Sequence, residues 1–440
     1  MKVKLSKYNY YKSNIDGDFV IFNTKTGAVI LGNKCEFDAD ILFQNTNNLR
    51  DDKFISFLLN EGIIVKSDFD ELNDIENDIF QKDNSSSLKL TIIPTRQCNF
   101  ECFYCFAKSS DYLELSESTA TNIMNLIEHN IAVNSVKFCK ITWFGGEPLL
   151  AINAIEDFMA RVHNLDFNKN ERVKLESAIV TNGYLLDLTN FKKLLMLGVN
   201  EFQVTFDGGK NIHDKYRYLK YDLSGSFDVI YQNLIKIRDN FKVEDFHISI
   251  RINFSKETYG SLEKLIDKFQ SDFGSDSRFS NFFKPIIDFG ENCENLYFTK
   301  KEARRAELKL FNKIYSAHNP SIYKKHLAEL LPKPTKRWCM AHDTNNFVID
   351  GIGNIYSCDS VIADIKERIG FFNENGELTY TSKSTDWETH KKSVKIMDCN
   401  NCKRFPICLG GCTRERIKGQ HECHWSDEAI NDILEFILAM

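Results

Sequence analysis

The chain has 440 residues, with 56 Lys+Arg against 62 Asp+Glu and a formal net charge of −6, a mild acidity that excludes bulk charge as a means of holding a polyanion. Its 42% hydrophobic and 27% charged residues describe a globular chain rather than a disordered one, long enough for roughly two to four domains. Thirteen cysteines do not suit a disulfide framework, which wants an even count in a short secreted chain.

In chain order, two apolar runs at 19–22 and 28–31 are joined by Asn23-Thr24-Lys25-Thr26-Gly27, a hairpin turn in which the glycine is free to take positive φ. Helical patterns at 36–44 and 51–60 and a strand-like Ile63-Ile64-Val65 complete a small winged-helix-like unit over residues 1–66. Residues 67–87 are rich in Asp, Glu, Asn and Ser and read as a solvated linker with one helical turn around 71–80. From Leu88 strand and helix patterns alternate, which predicts a parallel α/β arrangement over 88–297. Strands are expected at 89–94, 140–144, 175–181, 201–206, 247–253 and 283–288, with helices at 117–132, 153–163, 190–197, 227–239 and 261–273. Six such units make a partial, TIM-like (β/α)6 barrel, whose chemistry belongs in the loops after the strands. Residues 298–335 bridge by helices, 336–426 are cysteine-rich, and 427–440 read as a terminal helix. No window approaches the roughly 18 apolar residues of a membrane span, and no signal peptide opens the chain, so a cytoplasmic protein without a membrane partner is expected.

After the first barrel strand comes Cys98-Asn99-Phe100-Glu101-Cys102-Phe103-Tyr104-Cys105. Three thiolates on one loop can hold three irons of a cubane cluster and leave the fourth open for a small ligand; structural or zinc-binding cysteines are the alternative. The spacing, with Tyr104 directly before the third cysteine, resembles the signature of radical S-adenosylmethionine (radical SAM) enzymes. The second strand ends in Gly145-Gly146-Glu147-Pro148, which resembles the family turn that binds the amino group of the methionine moiety; glycines permit close backbone approach and Glu147 can accept from an ammonium. Thr181 and Asn182 end the third strand. Asp207-Gly208, ahead of His213-Asp214-Lys215-Tyr216-Arg217, is similar to a stretch of peptide-modifying members, and Arg251 and Asn253 end the fifth strand. The resemblance implies S-adenosylmethionine or active-site contacts at these positions, with Arg251 also a catalytic candidate.

The C-terminal cysteines are Cys339, Cys358, Cys399, Cys402, Cys408, Cys412 and Cys423. By residue type alone zinc and iron–sulfur are both open, since the knuckles and the neighbouring His421 and His424 suit zinc. The seven-cysteine order, with Gly353 five positions before Cys358, resembles the SPASM extension of radical SAM enzymes. That resemblance implies two auxiliary clusters, one on Cys399, Cys402, Cys408 and Cys423 and one on Cys339, Cys358 and Cys412. With the first loop this makes three four-iron, four-sulfur (4Fe–4S) clusters in all. Seven ligands leave one iron short, to be completed by Cys293, His342 or substrate. Asp359, next to Cys358, stands where a related maturase subgroup places its base. Cys35 and Cys139 read as small buried hydrophobes.

The resemblance implies an enzyme in which an electron from a flavodoxin or ferredoxin cleaves S-adenosylmethionine and the 5′-deoxyadenosyl radical takes a hydrogen from substrate. The N-terminal unit resembles the precursor-recognition domain of peptide maturases, to which a leader peptide adds a strand. Together these imply a precursor-peptide partner and an intramolecular cross-link, a Cys thioether ahead of a carbon–carbon bond. The alternatives are a sulfatase-type maturase forming formylglycine and a zinc-binding interaction protein. The acidic balance disfavours a nucleic-acid partner.

Overall fold

The computed structural model describes residues 2–35, 39–44, 52–80, 86–107, 113–134, 136–165, 173–286, 296–315, 330–335, 339–343, 345–392, 398–420, 423 and 425–439. Cys293, His421 and His424 lie outside the described residues. The chain divides into two compact units, one of Met1–Asn84, Lys300–Asp343 and Trp387–Met440, the other of Ser85–Thr299 and Thr344–Asp386. No described helix is long and apolar enough to cross a membrane.

The first unit opens with β1 (Val3–Leu5), β2 (Asn9–Ser13), β3 (Asp18–Asn23), β4 (Val29–Asn33) and β5 (Ile64–Lys66). Strands β2, β3 and β4 form an antiparallel sheet, while β1 pairs with β5. The run Phe19-Val20-Ile21-Phe22 is apolar throughout because both faces of β3 are covered. Phe19 and Ile21 pack with Leu42, Leu58, Ile63 and Ile64. Val20 and Phe22 pack with Leu308, Leu331 and the C-terminal helix Asp427–Leu438, which buries Ile430, Ile433, Leu434 and Ile437 at helical spacing. The N-terminal strands therefore share one core with segments from the far end of the chain. The expected linker is ordered in part: Glu71–Phe80 is a helix of 10 residues. Asp70 accepts from the Leu72 and Asn73 amides at 3.1 Å, and the buried Glu71 accepts from the Ser6 hydroxyl at 2.5 Å. Its polar composition hid a first-turn cap and the apolar pair Leu72 and Ile75, which pack beneath Tyr8.

In the second unit six parallel strands run in chain order: β6 (Ser87–Ile92), β7 (Phe138–Trp143), β8 (Lys174–Thr181), β9 (Val199–Phe206), β10 (His247–Phe254) and β11 (Phe279–Pro285). Helices Glu117–Asn134, Ile152–Asn164, Leu188–Met196, Phe227–Asn240 and Leu262–Phe273 fall between them as expected. The last strand starts four residues earlier than its sequence suggests, because β11 pairs only with β10 and its partly exposed residues need not be apolar. The far edge of β6 is covered by β12 (Asn346–Ile349), followed by β13 (Asn354–Tyr356), β14 (Gly370–Phe372) and β15 (Leu378–Tyr380), making one sheet of 10 strands. β12 runs parallel to β6, with Ile349 opposite Ile92. These strands come from the segment read only as cysteine-rich, so part of it belongs to the barrel sheet.

Candidate active site

All twelve described cysteines are free thiols. Cys98, Cys102 and Cys105 lie on the loop after β6, with Cys102 buried and the others half-buried. The loop is fixed from several sides. Asn99 and Glu101 bond the Tyr218–Lys220 backbone, the Lys220 amide reaching Asn99 O at 2.8 Å. The Asn182 side chain donates to Asn99 Oδ1 at 2.7 Å. The turn after β7 is sewn to the same loop by the Gly146 amide on Thr95 O at 3.2 Å and the Glu147 amide on Gln97 O at 2.7 Å. Gly145 has φ 137, and a Cβ there would strike the Thr95 carbonyl and Ile93, which is why glycine is required.

Glu147 is fully buried. Its carboxylate accepts from Thr181 Oγ1 at 2.7 Å, the Asn182 amide at 2.7 Å and the Leu149 amide at 3.0 Å. Three of its roughly four lone-pair sites are thereby used inside the protein, so Glu147 clasps the ends of β7 and β8 together. The following Pro148 starts a short 3-10 helix capped by Glu147, a position where proline loses nothing by lacking an amide hydrogen. Burial pushes the Glu147 carboxyl up while the three donors hold it down.

At the ends of β9 and β10 a second network gathers. Tyr104 donates to Asp207. Asn253 donates to Asp207 Oδ1 at 3.1 Å and to Tyr104 Oη at 3.3 Å, and Arg217 Nη1 donates to Tyr104 Oη at 2.9 Å. Arg251 Nε donates to Asn253 Oδ1 at 2.8 Å. The Arg217 Nε is buried without a partner, and the guanidinium lies within electrostatic reach of Cys102. His213 accepts the Asp207 amide on Nδ1 at 3.2 Å, so its proton resides on Nε2, which donates to Ser226 Oγ at 3.0 Å. Burial and nearby Arg217 drive its pKa well below the usual histidine value. Asp214 caps the helix Phe227–Asn240 by accepting from the Ser226 and Phe227 amides at 2.8 Å. The His-Asp pair thus supports the fold, and the arginine of that stretch faces the site.

Asp359 and Arg251 feel each other's charge, and burial raises the Asp359 carboxyl. Cys358 Sγ stands 3.1 Å from Ser360 Oγ. Sequence reasoning missed the buried pair Arg96–Asp350, Nη2 to Oδ2 at 2.9 Å with side chains 6% and 0% exposed. Asp350 also accepts from the Asn354 amide at 2.9 Å and the Ile352 amide at 3.2 Å. No pattern in a single sequence joins an arginine two places before Cys98 to an aspartate in the β12–β13 turn.

In the first unit Cys399, Cys402, Cys408 and Cys423 line one cavity of about 1220 Å³, together with Tyr10 and Arg404. Leu409, Gly410 and Gly411 take φ of 47, 85 and 82 in succession. This left-handed run turns the Gly410 amide onto Cys408, while the Leu409 and Gly411 amides donate to Phe405 O at 2.9 Å and Cys408 O at 2.8 Å. Arg404 Nε donates to Cys402 Sγ at 3.4 Å. Arg416, 5% exposed, has an unpartnered Nε within electrostatic reach of Cys399, Cys408, Cys339 and Cys412. His342 stands 3.5 Å from Cys339 Sγ. Among the described residues no three His, Cys, Asp or Glu side chains converge on a single metal ion. The fit to an iron–sulfur cluster therefore rests on the shared cavity, the Gly410 amide and the cationic donors. Of the spare cysteines, Cys139 is fully buried as expected, whereas Cys35 is exposed, because β4 ends at the surface before it.

The radical SAM superfamily model matches residues 92–269, the stretch that carries the cysteine loop, the Gly-Gly-Glu-Pro turn and the Tyr104–Asp207–Asn253 network. Over 355 residues the chain is 28% identical to a cysteine-type anaerobic sulfatase-maturating enzyme of Clostridium novyi, covering 75% of this chain and 89% of that protein. Its fold resembles native anSMEcpe with bound AdoMet and Cp18Cys peptide, with a TM-score of 0.59, 22% identity, and coverage of 80% of this chain and 96% of that one. It also resembles Streptococcus suis SuiB bound to precursor peptide SuiA, with a TM-score of 0.52, 13% identity, and coverage of 98% and 100%.

Proposed function

We propose, from the premise that this chain is an enzyme carrying a radical SAM domain, that it modifies a ribosomally made precursor peptide by an intramolecular cross-link, a Cys thioether ahead of a carbon–carbon bond. A 4Fe–4S cluster on Cys98, Cys102 and Cys105, together with S-adenosylmethionine, supplies a carbon radical that removes hydrogen from substrate. The protein's part is orientation and exclusion of water. Glu147 and Asn182 hold the turn and the cysteine loop in one arrangement. Tyr104, Asp207 and Asn253 fix Arg251, and Asp359, within reach of Arg251's charge, takes the proton released from the substrate thiol. Cys399, Cys402, Cys408 and Cys423 would hold one auxiliary cluster and, by sequence order alone, Cys339, Cys358 and Cys412 a second, which would supply an acceptor for the second electron. A flavodoxin or ferredoxin is the reductant.

The observation that carries the peptide reading is the N-terminal β-sheet. Among the described strands β4 pairs with β3 alone, which offers a sheet edge to an added peptide strand. The likeness to SuiB, whose crystal holds a precursor peptide, extends over this unit, whereas the likeness to anSMEcpe covers less of the chain. The second reading, a sulfatase-type maturase forming formylglycine, is favoured by the sequence likeness to the Clostridium novyi enzyme. Anaerobic co-expression with a short peptide encoded beside the gene separates them by mass spectrometry. A product short of two hydrogens and inert to hydrazide reagents supports the cross-link. A product trapped by hydrazide carries an aldehyde and overturns it.

A further inference from the structure

Tyr8 sits between β1 and β2 and is 0% exposed. It packs with Ile75, Cys399, Phe405, Leu409 and Cys402. Its hydroxyl is buried with no hydrogen-bond partner, an arrangement that calls for an acceptor. Asn400 Oδ1 is also buried without a partner, while other polar groups nearby are engaged. Tyr10, two residues on, donates to Asp427. Lys7 Nζ donates to Asn400 O at 3.0 Å and lies over the Tyr8 ring at 5.1 Å. Thr24 bonds both Tyr8 O, at 3.3 Å, and Lys403 O, so the chain beside Tyr8 is tied to the turn that carries Cys399 and Cys402. The phenol hydroxyl is a hydrogen-bond donor.

We infer that Tyr8 and Arg404 are positioning residues for the auxiliary cluster on Cys399, Cys402, Cys408 and Cys423, donating hydrogen bonds to its sulfur and raising its reduction potential. This rests on the reading that those four thiolates hold a cluster. Hydrogen bonds to sulfur stabilise the reduced, more negative state and are among the levers that set such potentials. The N-terminal segment, whose sheet is proposed to receive the peptide, thus supplies a ligand-sphere donor to a redox centre assembled some 390 residues later, the separation of the Lys7–Asn400 bond being 393.

The test is a redox titration of the anaerobically purified full-length enzyme, followed by electron paramagnetic resonance. Tyr8→Phe keeps the ring and its packing. With iron and sulfide content unchanged, it is expected to lower the auxiliary potential by about tenfold in the reduced-to-oxidised ratio, 59 mV for one electron, and to leave the S-adenosylmethionine-binding cluster unmoved. Arg404→Gln should shift the same signal in the same direction. Tyr10→Phe, whose hydroxyl already has Asp427, should shift it little. Unchanged potentials in loaded Tyr8→Phe and Arg404→Gln overturn the inference. Wild-type enzyme with iron for only one cluster overturns instead the reading on which it rests.

Discussion

The loops after the barrel strands and the turns at 398–412 both gather thiols, by opposite means. In the barrel most polar groups of the site satisfy one another, Arg217 Nε excepted: Glu147 is held by Thr181, Asn182 and Leu149, and Tyr104, Asp207, Asn253 and Arg251 form one chain of bonds. Six regular strands fix where those groups stand. Around Cys399–Cys412 regular structure shrinks to single turns, Phe405–Cys408 and Thr413–Ile417, and a non-glycine residue, Leu409, takes left-handed φ at a cost of about 1–2 kcal/mol. Donors there point at sulfur, and Tyr8 Oη and Arg416 Nε have no protein partner. One site is organised before any cofactor arrives. The other leaves donors for the auxiliary cluster proposed there to engage.

Stripping iron with a chelator should give the largest contrast. Hydrogen exchange should leave the amides of β6–β10 protected and expose those of 398–420; uniform loss of protection would break the distinction. Next in size are the ligand replacements. Cys98→Ala should abolish formation of 5′-deoxyadenosine, whereas Cys423→Ala should retain it uncoupled and yield no modified peptide. Within the barrel, Asp350→Ala removes the carboxylate that faces buried Arg96, and denaturant unfolding should record a loss of about 3–5 kcal/mol. His213 sharpens the picture through pH. Its folded pKa is depressed, so below about pH 6.5 the unfolded chain binds a proton the folded one refuses, and stability falls by up to about 1.4 kcal/mol per pH unit. Unfolding midpoints from pH 7 to 5 should show this slope, flattened in His213→Gln. The smallest effect belongs to Arg161→Ala, which removes an exposed pair with Glu117 and should change stability by less than about 1 kcal/mol.

The same division governed what the sequence disclosed. Buried parallel strands must be apolar runs and their helices must bury one face, so β6–β10 and the five helices that follow them could be read from periodicity. The cysteine motifs were legible because spacing on one loop is a local property. Arg96–Asp350 was not, since the partners are 254 residues apart and each alone looks like an ordinary polar loop residue. Strands β12–β15 were missed because runs of three or four residues in a cysteine-rich stretch carry too little periodicity. Tyr8 was missed for a related reason. Its role depends on burial beside Cys399 and Cys402, which no local pattern reports.

The pairing of β12 with β6 also sets a clock. Arg96, just after β6, meets Asp350 only when 254 further residues have been made, which at roughly 5–20 residues per second takes about 13–50 s. For that interval the strand leading into the cysteine loop lacks the partner that covers its far edge.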